Sequence, residues 1–556
     1  MTVNTGDPSR GVRVTLGAGV GIGATLAMAS SASAAFTVTN LDDTGPGSLR
    51  DAISQANTNP GGDAIVFQSG LSGSIAVASP MDIDDPLFIN GPVNKGVTLD
   101  GGQASGILSA TAEGPDPIGL RIYNLNFKDG SANNYGGAID AYNMDLSIKN
   151  STFTGNQAPQ GGAIYRAGPG FFNVYQSTFS GNRSAVGGAF LSSGFSTQIY
   201  SSTFNNNVAQ YAGGAIAAAY APLDSDMKII NSTFNRNSSG FIGGAVGALT
   251  SGDDLSLRIY DTTVSGNQTT LVGGGIGGNF STAKATNSVV EGNFAYYGPD
   301  LYGGSFGGPP SLAPGPGCGC DQTPFDLAFT FVGDTSGATI NPTVPGSNIL
   351  NGGDALLHRL ADNGGFTETM ALGADSPVVN KGAAGGLNVD QRGDLRPVEY
   401  PNISNSTAAG ADGSDMGAYE LQYTAPPPPP PPIVDRPFRI LTGSSNRKTG
   451  VETIKVEIPA AGTVEVVGYK AIKSTSTHFD TKGTYSVKAV PKGKFKKRLN
   501  KRGRARKLVK FRYTPDVGTV LAKGKNFAFF KGASSGKAKA AAVRKMRSFD
   551  GWGRGR

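Results

Sequence analysis

Phe153-Thr154-Gly155-Asn156 and, soon after it, Gly161-Gly162-Ala163-Ile164 form a unit that recurs along this chain. The paired glycines return at intervals of 25, 26, 26, 30 and 30 residues, beginning at Gly136, Gly161, Gly187, Gly213, Gly243 and Gly273. Between the motifs apolar and polar residues alternate, as in Leu255-Ser256-Leu257-Arg258-Ile259. This alternation is typical of short strands with one buried face. A unit so short cannot bury its own apolar face, so neighbouring units must stack.

The repeat predicts a parallel β-coil with about three short strands and three turns in each rung and about 4.8 Å between rungs. Equivalent residues then stand in columns. We expect one column of rings to fill the interior: Phe153, Phe179, Phe204 and Phe234. We expect a second column to form an amide ladder at a turn: Asn156, Asn182, Asn207, Asn237 and Asn267. The paired glycines let the backbone turn where a Cβ atom would collide with the adjacent rung.

The composition agrees with an all-β body. Glycine and proline, 82 and 33 of 556 residues, make up about 21% of the chain, against roughly 12% on average. Hydrophobic residues make up 38%, which is enough to fill a core. Glycine at this density excludes a compact helical protein, because each one costs about 0.5–1 kcal/mol inside a helix.

The two motifs together resemble the repeat of the chlamydial polymorphic outer-membrane proteins, over roughly residues 125 to 300. This resemblance implies a right-handed parallel β-helix of the pectate-lyase-like type. Upstream, residues 36–57 resemble an N-terminal region that usually reads CSLREAI, with Gly47 in place of the cysteine. There Leu49, Ile53 and Ala56 share one helical face, so a short amphipathic helix can plug the open end of the coil.

A region downstream of the repeats resembles the closing module of secreted β-helix proteins that carry interchangeable C-terminal anchors. The resemblance is carried by Leu360-Ala-Asp-Asn-Gly-Gly365, Asp375-Ser-Pro377, Asp390-Gln-Arg-Gly-Asp394 and Asp415-Met-Gly-Ala-Tyr-Glu420. It implies that this module caps the far end of the coil.

The first residues read as an export signal. Arg10 and Arg13 supply a positive start, an apolar run follows, and Ala32-Ser33-Ala34 offers a cleavage site. No later stretch has 18 or more apolar residues, so we expect no transmembrane segment after signal removal. The predicted segments are a signal peptide (1–35), an N-terminal cap (36–72), β-helix rungs (73–305), the closing module (306–424), a proline linker (425–433), a basic β-sandwich (434–535) and a basic tail (536–556).

Charge divides the chain sharply. Residues 433–556 hold 31 Lys and Arg against 7 Asp and Glu, a net of +24, which leaves −17 for residues 1–432. Alternating apolar residues, as in Val509, Phe511 and Tyr513, predict about seven antiparallel strands in a small sandwich. Thirteen cations lie between Lys488 and Arg512. Those expected to bind an anionic surface are Lys494, Lys496, Lys497, Arg498, Arg502, Arg504 and Arg506.

The predicted export of the chain indicates which partner the basic domain binds. No stacking aromatics interleave with the cations as single-stranded nucleic acid would prefer, and export makes nucleic acid a poor target. Anionic wall polymers or acidic lipid headgroups fit better. The alternative is a solvated basic hairpin that serves only solubility.

Evidence for catalysis is sparse in the repeats. Hydrolases that resemble polygalacturonases combine convergent Asp residues with a nearby His, and the only histidines are His358 and His478, outside the rungs. A lyase needs carboxylate-held Ca²⁺ and a basic residue. Four carboxylates could form a calcium site at one turn: Asp224, Asp226, Asp253 and Asp254. The alternatives are a solvated acidic turn, a structural or adhesive Ca²⁺ site and a catalytic one.

Two further features of the sequence allow more than one interpretation. A row of loop aromatics could stack sugar rings or a protein partner, or fold back on the coil: Tyr135, Tyr211, Phe241, Tyr296 and Tyr297. Cys318 and Cys320 favour a local staple or free thiols over metal binding, since no further ligand is near in sequence.

We therefore expect a secreted, cell-surface, non-enzymatic β-helix protein without a cofactor, Ca²⁺ excepted. It would bind carbohydrate or protein surfaces and be held to the envelope by its basic domain. The alternative is a polysaccharide lyase or hydrolase acting on acidic glycans.

Overall fold

The structure is a computed structural model that describes residues 34–194, 196–219, 224–249, 255–304, 322–423, 438–468 and 470–532. The predicted signal peptide before residue 34, the proline linker, the basic tail, Cys318 and Cys320 lie outside the described residues. The chain divides into two compact units between Thr424 and Ala425. Each unit is described below by itself.

The first unit is a parallel β-coil built on three long sheets of 12, 11 and 9 strands. Sheet A contains Ala35–Val38, Asp63–Phe67, Leu87–Asn90, Ile118–Tyr123, Met144–Lys149, Phe171–Tyr175, Ser196–Tyr200, Ser225–Ile230, Leu255–Tyr260, Thr282–Thr286, Phe325–Ala328 and Ile340–Pro342. Sheet B contains Gly73–Ala76, Val97–Asp100, Asn126–Lys128, Thr152–Thr154, Thr178–Ser180, Thr203–Asn205, Thr233–Asn235, Thr263–Ser265, Val289–Glu291, Phe331–Val332 and Ile349–Leu350. Sheet C contains Met81–Ile83, Leu108–Thr111, Ile139–Tyr142, Ile164–Ala167, Phe190–Ser193, Ile216–Ala219, Val246–Leu249, Ile276–Gly278 and Leu301–Gly303.

The structure confirms an all-β parallel coil. It also adds a fourth, short sheet that the sequence did not predict, formed by Arg183–Val186, Val208–Ala212, Ser238–Ser239 and Gln268–Thr269. The coil is longer than the predicted range 73–305, because sheet A starts at Ala35 and sheet B ends at Leu350. Strands on both sides of the predicted range therefore continue the same sheets.

The core of the coil consists of columns of like residues. Phe153, Phe179, Phe204 and Phe234 are all fully buried. Their rings stack with centroids 4.7, 4.9 and 4.7 Å apart and planes 3–4° from parallel. The stack follows the register of sheet B, where each Phe is paired with the Phe of the next rung. Phe127 extends the column by one rung, 4.7 Å from Phe153.

A helix, Leu49–Thr58, packs on the first strands, as predicted from its apolar face. Its buried residues are Leu49, Ala52, Ile53 and Ala56. The Ser48 side chain caps it by accepting a hydrogen bond from the Asp51 N–H. The helix thus covers apolar side chains that the first rung would otherwise expose.

The closing module does not behave as a cap at the far end, which corrects the sequence-based expectation. Its residues from 355 to 423 lie along the outer face of sheet B. We call this segment the lateral module. Three threonines of one column hold it: Thr203 Oγ donates to the Glu368 carbonyl (2.6 Å), Thr233 bonds to Gln391 (2.6 Å), and Thr263 Oγ accepts from the Ala418 N–H (3.0 Å). The module therefore covers four rungs of the coil from the side and does not plug its end.

The second unit contains two antiparallel sheets that share one apolar core. The three-stranded sheet contains Arg439–Ser445, Glu452–Ile458 and Gly483–Ala489. The four-stranded sheet contains Thr475–Phe479, Gly462–Val467, Arg504–Pro515 and Leu521–Phe530. The number of strands agrees with the prediction. A helix, Gly493–Arg502, was not predicted, and the basic strand after it, Arg504–Pro515, forms an antiparallel hairpin with Leu521–Phe530.

Candidate functional site

The asparagine column forms a continuous hydrogen-bonded ladder at the turn after sheet B. All five predicted members are buried. The Oδ1 of Asn156, the first member, accepts from the Gly130 N–H at 2.8 Å. From Asn182 onward each Oδ1 accepts two bonds from the preceding asparagine, as when Asn182 donates its N–H (3.1 Å) and its Nδ2 (2.9 Å) to Asn207. The remaining Nδ2 hydrogen goes to a backbone carbonyl, for Asn207 that of Phe179 at 3.0 Å. With their polar groups bonded inside the coil, these amides serve the fold rather than a ligand.

The ladder ends on an acid instead of an amide. Asn267 donates to Asn293, and Asn293 donates its N–H (3.2 Å) and Nδ2 (2.9 Å) to Asp300 Oδ1. The other Asp300 oxygen accepts from the Asp334 N–H at 2.7 Å. Burial raises the pKa of Asp300 to about 7, because the charged form loses its hydration.

The two glycines of each pair are required for two different steric reasons. Gly161 has φ of 64°, a left-handed conformation that glycine adopts at little cost. A Cβ atom on Gly162 would lie 2.1 Å from the carbonyl oxygen of Gly188 in the next rung. The second glycine therefore permits the close contact between rungs that the repeat implied.

The candidate calcium turn is only partly described. Asp253 and Asp254 lie outside the described residues, and Asp224 has φ of 63° at the start of a strand. Asp226 faces outward on sheet A, where its oxygens lie 3.3 Å from Arg258 Nη2 and 3.6 Å from Lys228 Nζ. Across the described part of the chain, no group of three or more His, Cys, Asp or Glu converges on a metal-sized space. Asp226 is thus engaged by cations of its own sheet.

The loop aromatics are divided between contact with the coil and exposure. Tyr135 stacks on Tyr165 with centroids 4.3 Å apart, and Tyr211 stacks on Phe241 at 5.8 Å. Tyr297 packs into a small apolar cluster beside the coil. Tyr296 is 67% exposed. The row therefore does not form one continuous aromatic platform.

The basic helix, Gly493–Arg502, packs on the domain through two apolar residues that lie among its cations. Leu499 is buried, and Phe495, one turn before it, meets Phe529 edge-on with centroids 5.3 Å apart. Gly503 ends the helix in the left-handed conformation, with φ of 66°. Lys501 and Arg502 occupy the last turn, where positive charge suits the helix dipole. Sequence reasoning missed this helix, although the Phe495 and Leu499 spacing with a following glycine is its usual signal.

The seven predicted anion-binding side chains share this helix and the strand after it. Lys494, Lys496, Lys497, Arg498 and Arg502 lie on the helix, while Arg504 and Arg506 lie on the strand Arg504–Pro515. All seven are exposed. Within the described residues none of them forms an ion pair. Lys497, Arg498, Lys501 and Arg502 line a shallow depression of about 490 Å³. We call the seven predicted cations together the basic face.

The acidic motifs of the lateral module hold it on the coil. Arg396 is fully buried and lies 2.8 Å from both Asp261 of the coil and Glu420 of the module. Its remaining nitrogen donates to the Gly417 carbonyl at 2.7 Å. Removing one partner of such a buried pair costs about 3–5 kcal/mol, because the other charge stays buried. These motifs fix the module in place, so they carry architecture rather than chemistry.

The repeat itself has a counterpart among known protein families. Residues 150–165 and 201–219 match the Chlamydia polymorphic membrane protein repeat. The first match holds Phe153, Asn156 and the Gly161 pair, and the second holds Phe204, Asn207 and the Gly213 pair. No curated protein matches the chain. The similarity thus covers two rungs of the coil and includes both members of each motif.

No helix in the described parts of the chain is both long enough and apolar enough to cross a membrane.

Proposed function

We propose that this is an exported protein of the cell surface in which a parallel β-helix displays a binding surface and the basic domain attaches the chain to the envelope. The match to a polymorphic membrane protein repeat supports a surface-exposed coil. The proposal takes the coil to be right-handed, the hand of nearly all crossovers between parallel strands of one sheet. Carbohydrate or protein surfaces would be the targets of the displayed coil.

The observation that carries the attachment is the basic face. Its seven cations are exposed and, within the described residues, free of ion pairs. The segment that bears it has a net charge of +24, whereas residues 1–432 carry −17. An anionic envelope polymer or an acidic lipid surface is therefore attracted to the basic domain and repelled by the coil.

We propose that the coil acts without enzymatic turnover. Asp226, the best described acid of the candidate lyase turn, is held between Arg258 and Lys228. A carboxylate paired with two cations is a poor ligand for calcium, because the neighbouring positive charges repel the metal ion.

Binding of residues 433–556 to purified cell walls and to phosphatidylglycerol vesicles tests the attachment. The Debye length falls from about 10 Å at 0.1 M salt to about 3 Å at 1 M, so binding should be lost at high salt. Neutral phosphatidylcholine vesicles should not bind at either salt concentration. Walls and vesicles are separate arms, which identify polymer or lipid as the anion.

A matched pair of variants separates the basic face from net charge alone. One replaces Lys494, Lys496, Lys497 and Arg498 with glutamine. The control replaces four exposed lysines elsewhere on the domain, Lys448, Lys455, Lys482 and Lys488. The first variant should bind much more weakly than the second. Equal binding by both would show that the basic face has no special role, and firm retention of residues 1–424 alone would place the anchor elsewhere.

A further inference from the structure

A cleft opens where the lateral module meets the coil. It has a volume of about 320 Å³, within the size range of small-molecule sites. The coil side contributes Asn205, Asn235 and Arg236. The module side contributes Leu357, His358, Arg359, Leu360, Glu368 and Met370. None of these residues belongs to the basic face or to the acidic turn.

Hydrogen bonds to the coil hold the cleft open. The Glu368 carbonyl accepts from Thr203 Oγ at 2.6 Å, and the Thr367 hydroxyl donates to the Ser201 carbonyl at 3.1 Å. The buried Gln391 amide donates to Thr203 Oγ at 2.9 Å and to the Glu368 carbonyl at 3.1 Å. The two walls are thus fixed before any ligand arrives, which lowers the entropic cost of binding.

Arg236 departs from the repeat at this place. Six copies of the motif carry the ladder asparagine, and four of them have glycine just before it: Gly155, Gly181, Gly266 and Gly292, with φ between 62° and 70°. Arg236 occupies the same position with φ of 52°. A left-handed conformation costs a residue with a side chain about 1–2 kcal/mol. Asn206 has φ of 55° at the same position of the preceding rung, so two neighbouring rungs lack the glycine, and of these two side chains Arg236 is the one that lines the cleft.

The cleft has a distinct chemistry. Arg236 and Arg359 are exposed, and neither guanidinium has an ion-pair or hydrogen-bond partner among the described residues. Glu368 is the only acid in the lining. Guanidinium groups bind carboxylates in a bidentate manner. The pair therefore favours an oxyanion, and the negative charge of Glu368 favours a singly charged carboxylate over a doubly charged phosphate.

Two more features narrow the ligand. The side-chain oxygen of Asn205 is buried and has no hydrogen-bond partner within the described structure. A buried acceptor without a donor costs about 1–3 kcal/mol, and a turn of the Asn205 side chain, which already lines the cleft, would bring this oxygen to a ligand hydroxyl. Leu357, Leu360 and Met370 give the cleft an apolar part on which the C–H face of a ring can lie. A carboxylate, hydroxyls and an apolar ring face occur together in a sugar acid.

We propose that this cleft binds a sugar acid, with the carboxylate at Arg236 and Arg359 and a hydroxyl at Asn205. The inference rests on the proposed function in one respect, because it gives the displayed coil a carbohydrate ligand. It does not depend on the basic domain.

Ligand-observed NMR with the full chain tests the site, using glucuronate as the probe, glucose as its neutral counterpart and inorganic phosphate as a simple anion. Glucuronate should show saturable binding at millimolar concentration or below, while glucose and phosphate should bind at least tenfold more weakly. Arg236→Gly and Arg359→Gln should each weaken glucuronate binding at least tenfold. Arg183→Gln, at an exposed arginine of the coil outside the cleft, should leave it unchanged.

Arg236→Gly restores the residue that the repeat uses elsewhere, so its thermal midpoint should equal or exceed that of the wild type. Misfolding therefore cannot account for lost binding in this variant. Absence of saturable glucuronate binding, equal binding by Arg236→Gly, or equal affinity for phosphate would each overturn the proposal. Arg236→Gly should still bind cell walls through the basic domain, so undiminished wall binding by the basic-face variant would be a separate failure, one of the attachment proposal alone.

Discussion

Replacing Asn207 with alanine should break the amide ladder in the middle of the coil. The wild-type side chain donates to Asn237 and to the Phe179 carbonyl, and its oxygen accepts two bonds from Asn182. The variant leaves both Asn182 donors, its backbone N–H and one amide hydrogen, buried without an acceptor. Each such group costs about 1–3 kcal/mol, so the free energy of unfolding should fall by about 2–6 kcal/mol.

Urea unfolding of the full chain, followed by circular dichroism of the coil transition, measures this loss as a shift of the midpoint at constant slope. Asn206→Gly is the matched control. Asn206 is the exposed neighbour with φ of 55°, and glycine suits that conformation, so stability should change by no more than about 0.5 kcal/mol. If both variants unfold at the same urea concentration, the ladder contributes no special stability and the reasoning fails.

The remaining predictions concern the core, the ladder's end and the absence of turnover. Phe204→Ala should destabilise the coil by about 3–5 kcal/mol, because it leaves a void between two stacked rings; urea unfolding measures it, and a loss below 1 kcal/mol would contradict the packing. Burial raises the pKa of Asp300 to about 7, so this carboxyl binds its proton more tightly in the folded chain than in the unfolded one. The stability it gives is present at pH 4 and lost as the pH rises toward 7. Asp300→Asn should therefore flatten the decline of unfolding free energy between about pH 4 and pH 7, and an unchanged slope would assign the effect to other groups. Finally, pectin, polygalacturonate, alginate and xylan should not be cleaved, with or without calcium; cleavage that disappears in Asp226→Asn would overturn the non-enzymatic proposal.

The coil could be predicted from the sequence because its information is local and repeated. One Phe and one Asn at a fixed offset from a glycine pair specify a strand, a turn and a contact with the next rung. The motifs recur through the middle rungs, so the stacking partners there are known once the period is known. The fourth sheet escaped prediction because its strands show no alternation of apolar and polar residues, as in Arg183-Ser-Ala-Val186.

The position of the lateral module on the coil could not be predicted from the sequence. Its contacts join residues far apart in sequence, as when Gln391 bonds to Thr203 and Arg396 to Asp261. The motifs identified the segment, yet no pattern in them says which face of the coil they meet. The basic helix is a different case, because its apolar pair at Phe495 and Leu499 was visible but was outweighed by the surrounding charge.

Departures from the repeat are more informative about binding than the repeat itself. A column in which every rung has the same residue satisfies its own hydrogen bonds and packing, as the asparagines do, and so has nothing left to offer a ligand. Where one rung differs, a side chain is held at a cost that the fold does not require. Thr152 and Thr178 remain partly exposed on the face where Thr203 and its successors hold the lateral module, and Arg236 stands where that face meets the module. The glycine position of the motif is thus the place where a substitution can add chemistry to the coil without disturbing its core.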